Sequence, residues 1–167
     1  MTKRAMMVLM LVGLIAPGAT AIATPADPIW RAGSPWSTER ARVTIDREVI
    51  IAELADTSAL QVRGLSYRDG LHPNTGMLFQ FEQASVRSFW MRGMRFCLDI
   101  IWIEHGRIEG AAENVCPMPD TDEADLPRYS SKVPVTFVLE LPGGWLDEQG
   151  FVNGQPVGIE LPSSADD

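Results

Sequence analysis

The residues best placed for chemistry lie in and just before one run, Ser88 to Ile103, which reads SFWMRGMRFCLDIIWI. Asp99 stands there among large apolar neighbours. A carboxylate in such company must be hydrogen-bonded or paired, because isolated burial costs several kcal/mol. Strand alternation puts Cys97, Asp99 and Ile101 on one face, with Leu98, Ile100 and Trp102 on the other. Upstream, Arg63, Arg68, Arg87, Arg92 and Arg95 crowd together against only Asp69 and Glu82. Arginine's planar fork suits carboxylates and phosphates, and clustered cations cost Coulomb energy unless something negative meets them. With Tyr67, Phe89 and Trp90 interleaved, the pattern is that of a pocket with aromatic walls and a few convergent polar groups. The candidate ligand-binding residues are therefore Arg63, Arg68, Trp90, Met91, Arg92 and Asp99. The ligand they suit is a small anion or an acidic segment of an envelope protein, bound without catalysis.

Other chemistries find less support. The two histidines, His72 and His105, sit in turn sequences, and no G-x-S-x-G elbow occurs. Carboxylates such as Asp99 and Glu113 could serve a hydrolase, whose requirement is a separation in space that sequence does not display. No C-x-x-C or H-E-x-x-H spacing is present, so neither metal nor cofactor is expected. Met77, Met91 and Met94, beside Trp90 and His72, are soft groups that would suit Cu(I), although methionine in β-rich sequence is usually core filler.

The elements that must position these residues read mostly as strands. Ala41 to Ala55 gives two β-branched runs about Asp46-Arg47, a hairpin pattern. Asp56 or Thr57 is an N-cap for a short helix that Gly64 stops, and YRDGLHPNTG is turn chemistry throughout. GMLFQFE, RSFWM and FCLDIIWI are further strands, with Gly93 marking a bend. EHGR turns the chain back into IEGAAENVC, and an acidic, proline-punctuated loop, Pro117 to Pro127, follows. VPVTFVLEL alternates, with Val133, Val135, Phe137, Leu139 and Leu141 on one face. A helical turn in PGGWLDEQGF and a last strand in GQPVGIEL close the domain. The expected fold is mostly β: a small closed or partly open barrel of short strands with one or two short helices.

The ends and the charge add a compartment. Lys3 and Arg4 precede an apolar run, Ala5 to Ala16, and Ala21-Ile22-Ala23 offers the small-x-small pattern of signal cleavage. The run is short for a bilayer span, so no transmembrane anchor is expected after cleavage. The organisation predicted is a signal peptide over 1–23, an extended leader over 24–40, one domain over 41–162 and a tail over 163–167. Cleavage leaves 12 basic against 22 acidic residues, a net charge of −10, which disfavours nucleic acid. In a periplasmic or secreted protein, Cys97 and Cys116 are most simply a disulfide. A hairpin centred on His105-Gly106 sets Cys97 opposite Asn114, two residues short of Cys116, so a bulge or a longer loop is needed to align the pair.

The order of RGLSYR, GMLFQF, FWMRGMRFCLDIIWI, GRI, VLELPGG and GQPV resembles the domain of unknown function 192 family, from about Val43 to Ile159. The resemblance implies a compact, predominantly β-barrel-like domain and supplies no reaction. It also makes Arg63 and Arg68 of RGLSYR the nearest suitors for Asp99. Cys97 stands where family members commonly carry proline before the L-D pair, which points to an exported subgroup in which a disulfide does the stiffening.

Overall fold

The computed structural model describes residues 37–163; the signal-peptide reading, most of the leader and the last four residues lie outside them. Nine strands form: β1 (Arg40–Ile45), β2 (Glu48–Ala55), β3 (Thr75–Ser85), β4 (Ser88–Phe89), β5 (Leu98–Glu104), β6 (Arg107–Val115), β7 (Tyr129–Ser130), β8 (Val135–Pro142) and β9 (Val157–Glu160). Helix α1 (Ser58–Arg63) and helix α2 (Trp145–Gln149) interrupt them. Seven strands make one curled sheet in the order β6-β5-β8-β3-β2-β1-β9, and β4 pairs with β7 as a separate ribbon. The sheet is a half-barrel. Its two ends meet at one bridge, Arg107 with Pro156, and the amide of Ile108 donates to the Gln155 carbonyl beside it. No helix among the described residues is long and apolar enough to cross a membrane.

Local chemistry explains the elements. Asp46 takes the positive φ of 53° needed in the β1–β2 turn, a conformation Asp tolerates. Thr57 caps α1 by accepting from the Leu60 amide, and Gly64 ends the helix at positive φ. Helix α1 is the crossover between β2 and β3, which pair in parallel, while every other neighbour in the sheet is antiparallel.

Both faces of the sheet are covered, which alternation in β8 alone does not announce. The inner face packs Val43, Ile50, Leu78, Ile101 and Leu139 around Trp145 and Leu146 of α2. The outer face packs Met77, Phe79, Leu98, Ile100, Trp102 and Val138 beneath the α1 region and the β4–β7 ribbon. The expected single apolar face of VPVTFVLEL is therefore corrected. A register shift between Gln80 and Ser85 leaves Val135 in the outer core, while Leu139 and Leu141 enter the inner one. Val133 lies outside the strand, and RSFWM supplies only the two residues of β4.

The β5–β6 hairpin aligns the cysteines by bulging. Near the turn Ile103 faces Ile108 and Glu104 faces Arg107, the expected register. One shift sets Trp102 opposite Gly110, and a second sets Leu98 opposite Val115. Two extra residues on β6 thus bring Cys116 to Cys97, with a sulfur–sulfur distance of 1.99 Å and Cα atoms 4.0 Å apart.

Candidate functional site

Asp99 is fully buried, as its neighbours require, but the expected pairing with Arg63 or Arg68 is not what holds it. Its carboxylate accepts from the backbone amides of Asn114 at 2.6 Å, Leu146 at 2.7 Å and Gly144 at 3.3 Å. Asn114 lies at the second β6 bulge with φ 45°, and the other two amides open α2. Asp99 ties the bulge to the helix that plugs the half-barrel. The physical reason is position: Asp99 faces inward, whereas α1 and the loop after it cover the outer face. Gly143 permits the closeness, since a Cβ there would come 2.9 Å from the Cys97 carbonyl carbon.

On the outer face the two arginine-bearing motifs are stitched together. Tyr67 adopts φ 66°, and its amide donates to the Gly93 carbonyl at 2.7 Å. The Ser66 hydroxyl donates to the Arg92 carbonyl at 2.9 Å. Gly93 has φ 66°, and a side chain there would press on the Tyr67 ring, 3.0 Å away. A tyrosine held at positive φ is strained and persists only where its surroundings over-determine it. RGLSYR and FWMRGMR thereby become facing walls of one cavity.

That cavity encloses about 210 Å³. Arg63, Tyr67, Phe89, Trp90 and Arg92 line it, with Phe79 and Glu140 of the sheet also contributing. Phe79 and Phe89 meet edge to face with centroids 5.0 Å apart, a geometry the aromatic quadrupole favours. The Trp90 ring carries the Arg128 guanidinium 4.0 Å from its centroid and that of Arg92 at 5.5 Å.

Glu140 is the residue that sequence reasoning missed. It sits on β8 between Met77 of β3 and Ile100 of β5, only 6% exposed. Its Oε2 has no hydrogen-bond partner among the described residues. The nearby Arg68, itself 5% exposed, gives both terminal nitrogens to Glu53 at 2.7 Å in a bidentate pair. Burial therefore pushes the Glu140 carboxyl up to about 8, a rise that the positive charge of Arg68 only partly opposes. A carboxyl so raised is neutral at pH 7 and can donate a hydrogen bond. The signal was in VTFVLELP, a strand apolar on both faces with one acid inside it, the same reasoning that singled out Asp99.

Of the six sequence-derived ligand candidates, Arg63, Trp90 and Arg92 line this cavity. Arg68 lies buried behind Glu140, Met91 is packed in the outer core, and Asp99 belongs to the inner face. The remaining upstream arginines find local partners. Arg92 Nε meets Glu123 of the acidic loop at 3.0 Å, Arg95 meets Asp69 at 2.6 Å, and Arg87 lies 3.6 Å over the Phe81 ring. Met77 joins Met91 in the core, Met94 lines the cavity, and His72 is exposed. Glu113 is exposed on β6, beside the bulge whose amide Asp99 accepts.

Of the six motifs first read for their order, four build the cavity walls, its floor and the disulfide-braced strand behind it. A family model for domain of unknown function 192, described as an uncharacterized ACR, matches residues 41–159. The chain belongs to that family. No curated protein matches it. Two crystal structures share the fold. A Sinorhizobium meliloti protein provisionally named a transcription regulator is 29% identical, with a TM-score of 0.64 over 74% of this chain and 95% of that one. A Novosphingobium aromaticivorans protein of unknown function is 33% identical, with a TM-score of 0.62 over 71% and 83%.

Proposed function

We propose that this member of the domain of unknown function 192 family is an exported, non-catalytic binding module whose outer-face cavity takes a small organic anion. The observation that carries the reading is the cavity's polar inventory: Arg63 and Arg92 in walls of Tyr67, Phe89 and Trp90, over a Glu140 carboxyl that is neutral at pH 7. Two guanidinium groups thus line one cavity of an acidic chain, set among aromatic side chains as in pockets that recognise anions. The alternative hydrolase pair, Asp99 with Glu113, gains no support from geometry. Both Asp99 oxygens are committed to backbone amides inside the sheet. A net charge of −8 likewise lends nothing to nucleic-acid binding.

The export reading rests on the N-terminal pattern and on the cysteine pair at disulfide distance. N-terminal sequencing of envelope material is expected to begin at Thr24, or at Ile22 for cleavage one small-x-small step earlier. The site is tested by a thermal-shift screen of organic acids, phosphates and acidic peptides. A hit is expected to weaken with salt and to be lost in Arg63→Ala; stabilisation by no anion at all would refute the module.

A further inference from the structure

The cavity has two chemically different ends. Its floor is Glu140, buried and flanked on its row of the sheet by Met77 and Ile100. One oxygen of that carboxyl, Oε2, has no hydrogen-bond partner among the described residues. The charge acting on Glu140 is that of Arg68, whose terminal nitrogens both go to Glu53. The other end is the rim. There Arg92, about half exposed, meets Glu123 through Nε, one edge of a guanidinium that carries further donors. Val62 and Tyr67, both exposed, stand beside it at the mouth. The walls are apolar and mostly aromatic, with Leu65, Phe79, Phe89, Trp90 and Met94.

The floor is selective. A buried polar atom without a partner costs free energy that a ligand group able to bond with it recovers. A cationic group at the floor would meet the charge of Arg68, and an anionic one would press a second acid against a buried carboxyl. A hydroxyl meets neither obstacle, since it accepts from the acid O–H of Glu140 and donates to its carbonyl oxygen. Flat rings suit walls that present both faces and edges of aromatic side chains.

Resting on the site reading above, we propose that the ligand is a ring-bearing hydroxy acid, with its carboxylate at the Arg92 rim and its hydroxyl against Glu140 at the floor. Glu140 thereby sets specificity. It sorts organic anions by the group they carry at the end remote from their charge, and no covalent bond changes.

The test is calorimetric titration of the full-length protein at pH 7 with 4-hydroxybenzoate, benzoate, 4-methylbenzoate and phenol. The hydroxy acid is expected to bind about tenfold more tightly than benzoate, the worth of one hydrogen bond to a buried partner. The methyl analogue fills the same space without the bond and is expected to gain nothing over benzoate. Glu140→Met is expected to erase the preference for the hydroxyl, whereas Glu140→Gln, which keeps a donor and an acceptor, is expected to retain it. Equal binding of benzoate and 4-hydroxybenzoate by the wild type would overturn the inference and leave the anion site standing. A hydroxyl preference that survives Glu140→Met would overturn the role of Glu140. Phenol bound as tightly as 4-hydroxybenzoate would overturn the two-ended ligand. Binding of none of these probes would also overturn the inference, while the wider anion screen above decides the site reading by itself.

Discussion

Asp99 and Glu140 lie on adjacent strands of one sheet, both buried, and they teach opposite lessons. Asp99 points inward and receives three backbone amides. Glu140 points outward, into a cavity, and one of its oxygens has no hydrogen-bond partner among the described residues. Burial is shared; the supply of donors is not. A carboxylate that collects several N–H groups locks the fold, whereas Glu140, buried without them, is pushed toward its neutral form and has a hydrogen bond to offer. The first arrangement closes a half-barrel. The second leaves a carboxylic acid at the floor of a cavity.

The contrast can be broken most severely at Asp99. Asp99→Ala would strand three amide donors around a bulge and a helix start, a loss on the order of 5 kcal/mol at the usual cost of unsatisfied buried groups. Thermal denaturation measures it, and Asp99→Asn, which keeps an acceptor oxygen, is expected to lose clearly less. An Asp99→Ala protein with an unchanged melting temperature would remove the strut from this account.

Glu140 sharpens the comparison through pH. Its folded value, about 8, lies above its ordinary 4.5, so across that window the folded chain holds a proton that the unfolded chain has released. The stability due to this group is therefore full at acid pH and is lost as pH rises from about 4.5 to about 8, on the order of 5 kcal/mol in all. In urea titrations, the difference between wild type and Glu140→Gln is expected to favour the variant increasingly with pH and to vanish near pH 4. A difference that does not change with pH would mean the carboxyl is ionised in the fold.

The brace beside Asp99 comes next. Reducing Cys97–Cys116, or replacing both residues with serine, opens a loop of about 20 residues and is expected to lower stability on the order of 3 kcal/mol. Denaturant midpoints with and without reductant give the comparison. The loss should fall on the inner-face assembly of β5, β6 and α2, leaving ligand binding at the outer cavity unchanged once the protein is folded.

The smallest effect lies at the rim. Arg92 and Glu123 are about half exposed, so Glu123→Ala should change stability by less than about 1 kcal/mol. Anion affinity should instead rise modestly, because Arg92 is released to the cavity. Weaker binding in that variant would show that Glu123 helps to form the site.

What the sequence determined by itself was whatever depends on near neighbours. The hairpin turns, the Thr57 cap and Gly64 stop of α1, the strand character of FCLDIIWI and the burial of Asp99 all follow from local propensity and alternation. So did the family and the crowding of Arg63, Trp90 and Arg92 about one region, because they lie in two short motifs. Tertiary structure decided what spans the sheet. Two bulges on β6 rather than one set the cysteine register, and a helix that plugs the half-barrel took the carboxylate that arginine was expected to claim. Covering the outer face of β8 turned Glu140 from one acid among many into the floor of a cavity. Alternation says which residues share a face of a strand, but only the packing of distant elements says whether that face meets water, a backbone amide or an empty pocket.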